Sequence, residues 1–196
     1  MTRDPLDRYY TPHGLASAAW REFCSALKLT RRPIALLEPC CGAGAFGLAA
    51  LHYPCERWRP LNVVGCDLDA GAPAPFRVDL CAVSDWTPEI VATPPELAAP
   101  LILTNPHYGR AREVVEVHRE LQRRTGAAAL GLLLRLTALE QLEADPPSHV
   151  VVWRQRPRWE GPGGALHRQS DSVGPILAIW SADAPGSSIN WSKDWR

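Results

Sequence analysis

The chain has 196 residues, and its 21 basic and 21 acidic side chains balance to a formal net charge of zero. That length suits one domain with a continuous core, while the charge balance argues against a broad electrostatic grip on nucleic acid and leaves room for a local basic groove. The cysteines (Cys24, Cys40, Cys41, Cys55, Cys66 and Cys81) form no C-x-x-C pair and match no histidine spacing, so no metal is expected and a reducing, cytoplasmic setting is.

In chain order, Met1–Pro5 lacks an apolar signal core, and no apolar run is long enough for a bilayer, so neither export nor membrane insertion is expected. Thr2–Pro12 reads as an extended lead-in. Leu15, Ala18, Ala19, Phe23 and Leu27 then recur at helical spacing. Ile34–Glu38 is a predicted strand and Ala45–Leu51 a short helix stopped by Pro54. Asn62–Asp67 and Phe76–Asp79 are predicted strands, and Ala70–Pro75 between them is too rich in Gly and Pro for a helix.

A fourth strand falls at Leu101–Thr104. An amphipathic helix follows from Gly109 to Arg124, with Val114, Val117 and Leu121 inward. Ala128–Leu134 is a fifth strand, and Ala138–Glu143 a helical turn ended by Pro146-Pro147. Val150–Trp153 and Ile176–Trp180 complete the set, the last pair reading as an antiparallel hairpin. Gln155–Gly174 is a long polar loop of the kind that is usually functional. The tail beyond Ala184, with Trp191 and Trp195, is assigned to no element. Strands alternating with helices imply an α/β fold with a mostly parallel, seven-stranded sheet. The expected organisation is a single domain over 1–196, with an N-terminal arm (1–12) and a tail (185–196).

Two motifs stand at strand ends. Glu38-Pro39-Cys40-Cys41-Gly42-Ala43-Gly44-Ala45-Phe46 joins a strand to a helix through a glycine loop, which brings backbone N–H groups close to a ligand. Gly42, Gly44 and Gly47 also satisfy the dinucleotide pattern G-x-G-x-x-G, with Asp67 near the roughly 20-residue offset of a ribose-binding acid. An ionised Glu38 would repel a pyrophosphate and attract an ammonium group. Asn105-Pro106-His107-Tyr108 follows the apolar run Leu101–Thr104. Its amide oxygen and the Pro106 carbonyl can each accept an N–H, and the Tyr108 ring can lie on a π-face. Such a tetrapeptide suits a flat, amino-bearing group.

These residues resemble those of the methyltransferases that use S-adenosylmethionine (SAM) to methylate the exocyclic amine of adenine. Asn105-Pro106-His107-Tyr108 is similar to their Asn-Pro-Pro-Tyr motif, with His107 in place of the second proline. Glu38-Pro39-x-x-Gly42-x-Gly44-x-Phe46 looks like their SAM-binding loop. Asp7-Arg8-Tyr9-Tyr10-Thr11-Pro12 resembles the segment that precedes the first helix in the gamma-type DNA enzymes. The resemblance implies a Rossmann-like class I fold with helices on both faces of the sheet. It also implies SAM as cofactor and DNA as partner, with no metal and no membrane.

Carried over residue by residue, the resemblance makes Asn105, Pro106 and Tyr108 catalytic. It assigns the cofactor to Tyr10, Thr11, Pro12, Glu38, Pro39, Cys40, Gly42, Gly44, Phe46, Asp67, Leu68, Asp79 and Asn105. Asp67 would bind the ribose hydroxyls, and Asp79 the adenine amine of SAM or else a turn. Asp69 reads as a solvated neighbour. His107, Tyr108, Arg158 and Trp159 would meet the substrate, with Trp159 and Tyr108 on opposite faces of an extruded base and Arg156 beside a phosphate. Adenine in RNA, a protein glutamine, or a catalytically degenerate binding subunit are the alternatives. The chain has no room for a separate recognition domain. Specificity would therefore come from the Gln155–Gly174 loop or from a partner.

Overall fold

The computed structural model describes residues 9–27, 34–53, 60–72, 74, 76–79, 82, 85–86, 98–108, 111–161, 166, 173–181 and 187–192, without the side chains of 34, 60, 61, 76, 77, 98 and 192. Residues 1–8 of the lead-in, Pro54, Cys55, Cys81, Gly109, most of the 162–172 stretch and Trp195 lie outside the described residues.

The elements run α1 (His13–Ala26), β1 (Ile34–Pro39), α2 (Ala45–His52), β2 (Pro60–Asp67), β3 (Phe76–Arg77), β4 (Ala98–Thr104), α3 (Ala111–Thr125), β5 (Ala129–Arg135), a 3-10 turn (Leu136–Gln141), β6 (His149–Trp153), β7 (Pro175–Ser181) and β8 (Ser188–Ser192). The sheet has the order β3-β2-β1-β4-β5-β7-β6-β8. It has eight strands rather than the expected seven, because the unassigned tail supplies β8. Among the described strands, β7 alone runs against its neighbours β5 and β6. The expected antiparallel pair is therefore present, but β7 also slots between β5 and β6. β3 is shorter than predicted, ending at Arg77.

Alternation along the strands sends successive side chains to two cores. One lies under α1 and α2 and takes Leu36, Leu101, Leu103, Leu133, Val151 and Leu177. The other lies under α3 and takes Leu37, Ile102, Leu130, Leu132, Val150 and Ile176. Helices thus cover both faces. In α1, Leu15, Ala19 and Phe23 sit four residues apart on one stripe and are fully buried. The helix starts where the Pro12 carbonyl accepts the Ala16 N–H at 3.0 Å. Burying the Phe23 ring stabilises the fold by about 2–3 kcal/mol, and Phe23→Ala would cost about 3–5 kcal/mol. α3 carries Glu113 in its first turn and Arg123 and Arg124 in its last, a distribution that complements the helix dipole. No described helix is long and apolar enough to cross a membrane.

Candidate active site

The C-terminal ends of β1, β2 and β4 bring the two motifs to one rim of the sheet. Glu38, the last residue but one of β1, is only 2% exposed. Its carboxyl oxygens accept the N–H groups of Phe46 at 3.0 Å and Gly47 at 2.8 Å, in the first turn of α2. Burial pushes its pKa up to about 8, against the pull of those two hydrogen bonds, and the charge of Asp67 adds to the rise. Glu38 therefore holds the glycine loop to the strand. Buried and with its pKa raised to about 8, Glu38 is largely uncharged at neutral pH, so the argument against a dinucleotide from its charge no longer applies.

The loop itself turns through the left-handed region at Cys40 (φ 54°), Gly42 (φ 51°) and Gly44 (φ 76°). At Gly42 a side chain is excluded twice, because a Cβ there would lie 2.7 Å from the Tyr10 ring. A Cβ on Gly44 would meet nothing within 4 Å, so this stretch of backbone faces open space. Burial also pushes the Cys41 and Cys66 thiols up to about 12. Neither ionises at neutral pH, which removes both as thiolate nucleophiles.

Asp67 ends β2. Its Oδ2 accepts the Gly42 N–H at 2.7 Å and its Oδ1 the Asp69 N–H at 2.8 Å. Asp69 is not the solvated residue that its loop position suggested. It is 8% exposed, accepts the Tyr10 hydroxyl at 2.7 Å and accepts the Gly71 N–H at 2.9 Å. Leu68 projects between them, 55% exposed. Asp79 sits half-buried in a turn beyond β3, with its carbonyl accepting the Ala82 N–H at 2.8 Å and its N–H donating to Asp85 at 3.1 Å. Thr11, Pro12 and Pro39 are buried and Cys40 is half-buried. The Phe46 ring packs inside the α1–α2 core, 1% exposed. This corrects its expected place at the cofactor, because only its backbone N–H serves the loop.

At the end of β4, the Asn105 amide donates from Nδ2 to the Tyr9 carbonyl at 3.3 Å. That contact fixes which way the amide points. Its Oδ1 is buried and accepts no hydrogen bond among the described residues. Pro106 is buried and His107 exposed. The Tyr108 and Trp159 rings lie 5.7 Å apart, centroid to centroid, at 55°. Here the expectation needs revision. A base gripped between parallel rings needs roughly 7 Å, so these rings touch each other instead of framing a slot. Trp159 is buried, while Arg156 and Arg158 are exposed.

The lead-in segment joins the two motifs through an isolated bridge at Tyr10. Tyr10 pairs with Glu160 through hydrogen bonds of 2.6 and 3.0 Å, while its ring lies on Gly42 and the Tyr9 carbonyl holds Asn105. The glycine loop and Asn105 therefore share one side of the molecule. Sequence reasoning missed Arg135, whose guanidinium stands 5.1 Å from the Tyr108 ring centroid. The signal was there, since a charge closes the apolar run Ala129–Leu134 at the same rim.

By sequence, neither a protein-family model nor a curated protein matches the chain. Solved structures do match in shape. The 23S rRNA methyltransferase ErmE superposes with a TM-score of 0.52 and 12% identity, over 90% of this chain and 71% of that one. A type I restriction-modification methyltransferase subunit from Streptococcus thermophilus gives 0.58 and 15% identity. The match covers 95% of this chain but 47% of that subunit, so the chain spans about half its length. A Pyrococcus horikoshii protein assigned as an RNA methyltransferase gives 0.55 and 13% identity, over 90% and 88% of the two chains. The chain has a methyltransferase fold. This fold also departs from the dinucleotide-binding order 3-2-1-4-5-6, because the antiparallel β7 separates β5 from β6.

Proposed function

We propose that the protein is a SAM-dependent methyltransferase that modifies the N6 amine of adenine in DNA. One observation carries the reading. The Asn105 amide presents a buried oxygen with no described hydrogen bond, and Tyr9 holds that oxygen in place on the rim that bears the glycine loop.

The residues fit such a cofactor. The open backbone at Gly44 leaves room over the loop. Each Asp67 oxygen already accepts one backbone N–H but keeps a lone pair for a ribose hydroxyl. Asp79, in the turn beyond β3, would accept the adenine amine. When bound, SAM supplies an electrophilic methyl group. The protein's own part is then orientation. Asn105 Oδ1 and the Pro106 carbonyl accept the two amine hydrogens and aim the nitrogen lone pair, and the Tyr108 ring supports the base plane. Positioning of this kind supplies most of the acceleration when the cofactor brings the reactive group. A base in a duplex must first leave the stack.

Methylation of adenine in RNA is the second reading, favoured by the likeness to a 23S rRNA methyltransferase and to a protein assigned as an RNA methyltransferase. Incubation of the protein and SAM with DNA and with RNA, followed by nucleoside mass spectrometry, tests both. N6-methyl-2′-deoxyadenosine in the DNA digest alone supports the first reading, and N6-methyladenosine in the RNA digest alone the second. A dinucleotide that binds where SAM does not would overturn both.

A further inference from the structure

β8 closes the sheet, with β6 on one side and no strand on the other among the described residues. Its sequence, Ser188-Ile189-Asn190-Trp191-Ser192, has no charge and no proline. Edge strands of single proteins are usually blunted by lysine, proline, a bulge or a covering segment. β8 shows no bulge against β6, and Ile189 and Trp191 are each 63% exposed. The parallel register sets these two beside Val150 and Val152, which are buried in the core under α3. One apolar face of the sheet therefore runs on past its helical cover.

The backbone geometry is equally specific. Ser188 donates its N–H to the Ser148 carbonyl at 3.1 Å, toward β6. Alternation then turns the peptide groups of Asn190 toward β6 and those of Ile189 and Trp191 outward.

We propose that β8 pairs antiparallel with β8 of a second copy of this chain, about a twofold axis through Asn190. The strand is symmetric in character about that residue, small polar and apolar positions repeating in both directions. In this register Ile189 of each copy lies opposite Trp191 of the other, and Asn190 lies opposite itself. The outward peptide groups of Ile189 and Trp191 become the hydrogen-bonded pairs, and the apolar side chains of both strands gather on one face. A twofold contact of this kind is self-complementary and closes. An unrelated partner would need no such symmetry in β8. Zero formal charge leaves no net repulsion between copies.

Sedimentation of the full chain across concentration tests this directly. The expected result is a reversible monomer–dimer equilibrium that Ile189→Lys with Trp191→Lys converts to monomer, with thermal unfolding unchanged. Asn190→Cys gives a second measurement that leaves the apolar residues intact. A non-hydrogen-bonded antiparallel pair has Cα atoms about 4.5 Å apart, within disulfide reach. Mild oxidation should therefore yield covalent dimer above the wild-type background. A chain that stays monomeric, a dimer that survives the double lysine change, or no gain in cross-linking with Asn190→Cys would overturn the proposal. Should the lysine variant fail to fold, the cysteine result decides.

Discussion

The part of the rim built on the glycine loop and the part built on Asn105 differ in how their polar atoms are engaged. In the first, both oxygens of Glu38, Asp67 and Asp69 accept N–H or O–H groups within 3.0 Å. Loop, strand and lead-in are tied into one rigid unit. In the second, Asn105 is held by its amide nitrogen while its oxygen accepts no hydrogen bond among the described residues, and the aromatic rings rest on each other. A buried acceptor without a donor costs about 1–3 kcal/mol, a cost expected where a ligand later provides the hydrogen. One half has its acceptors filled from within the protein, while the other keeps one acceptor open among the described residues.

The sharpest break in that contrast is Asn105→Ala. Methyl transfer should fall at least ~100-fold, the scale for losing one preorganised hydrogen bond at a reacting group. SAM affinity measured by calorimetry should stay nearly constant. Equal loss of both would mean that the two halves are one site. Second in size is pH, through two buried groups with opposite signs. His118 donates from Nδ1 to the Val114 carbonyl, and burial pushes its pKa from 6.5 down to about 4. Its stabilising effect is present above pH 6.5 and lost as pH falls toward 4. Glu38, raised from 4.5 to about 8, stabilises fully below pH 4.5 and less as pH rises through 8.

Between pH 4.5 and 6.5 the two slopes oppose each other, and above 6.5 the Glu38 loss stands alone. Denaturant titrations should show a decline from pH 6.5 to 8 that Glu38→Gln flattens while lowering the midpoint throughout. An unchanged slope in that variant would separate Glu38 from the effect.

Gly42→Ala comes next. It forces a side chain into the Tyr10 ring at a left-handed position and should cost about 1–3 kcal/mol, read as a lower melting temperature and weaker SAM binding. A variant as stable as the parent would show that the Tyr10 cover yields easily. The smallest effect, under about 0.5 kcal/mol, belongs to Glu116→Ala, which breaks an exposed pair with Arg112. It sets the scale for the others.

The motifs that end strands were legible because a strand fixes where its last residue goes. Glu38, Asp67 and Asn105 all reached the rim on that ground alone. What lay beyond the strands was harder to read. Asp69 looked solvated because nothing local shows that Tyr10, 59 residues away in the chain, donates to it. The Tyr108–Trp159 contact and the stacking of Arg135 on Tyr108 depend on how the stretch after β4 meets the stretch after β6 and the end of β5 in space, which periodicity does not encode. β8 escaped notice because a short edge strand of Ser, Ile, Asn and Trp has too little pattern to separate it from a polar tail.

The placement of β7 has a consequence for how the chain reaches its native state. β5 lies in the middle of the sheet, yet one of its two neighbours is made of residues far downstream, with Ala129 registered against Ser181. β6 in turn has no route to β5 except through β7. A nascent chain released from the ribosome as far as Trp153 would hold β5 with one side unzipped and β6 unattached. Closure of the sheet must wait for the last fifth of the sequence, and such non-local pairing makes folding slow and late.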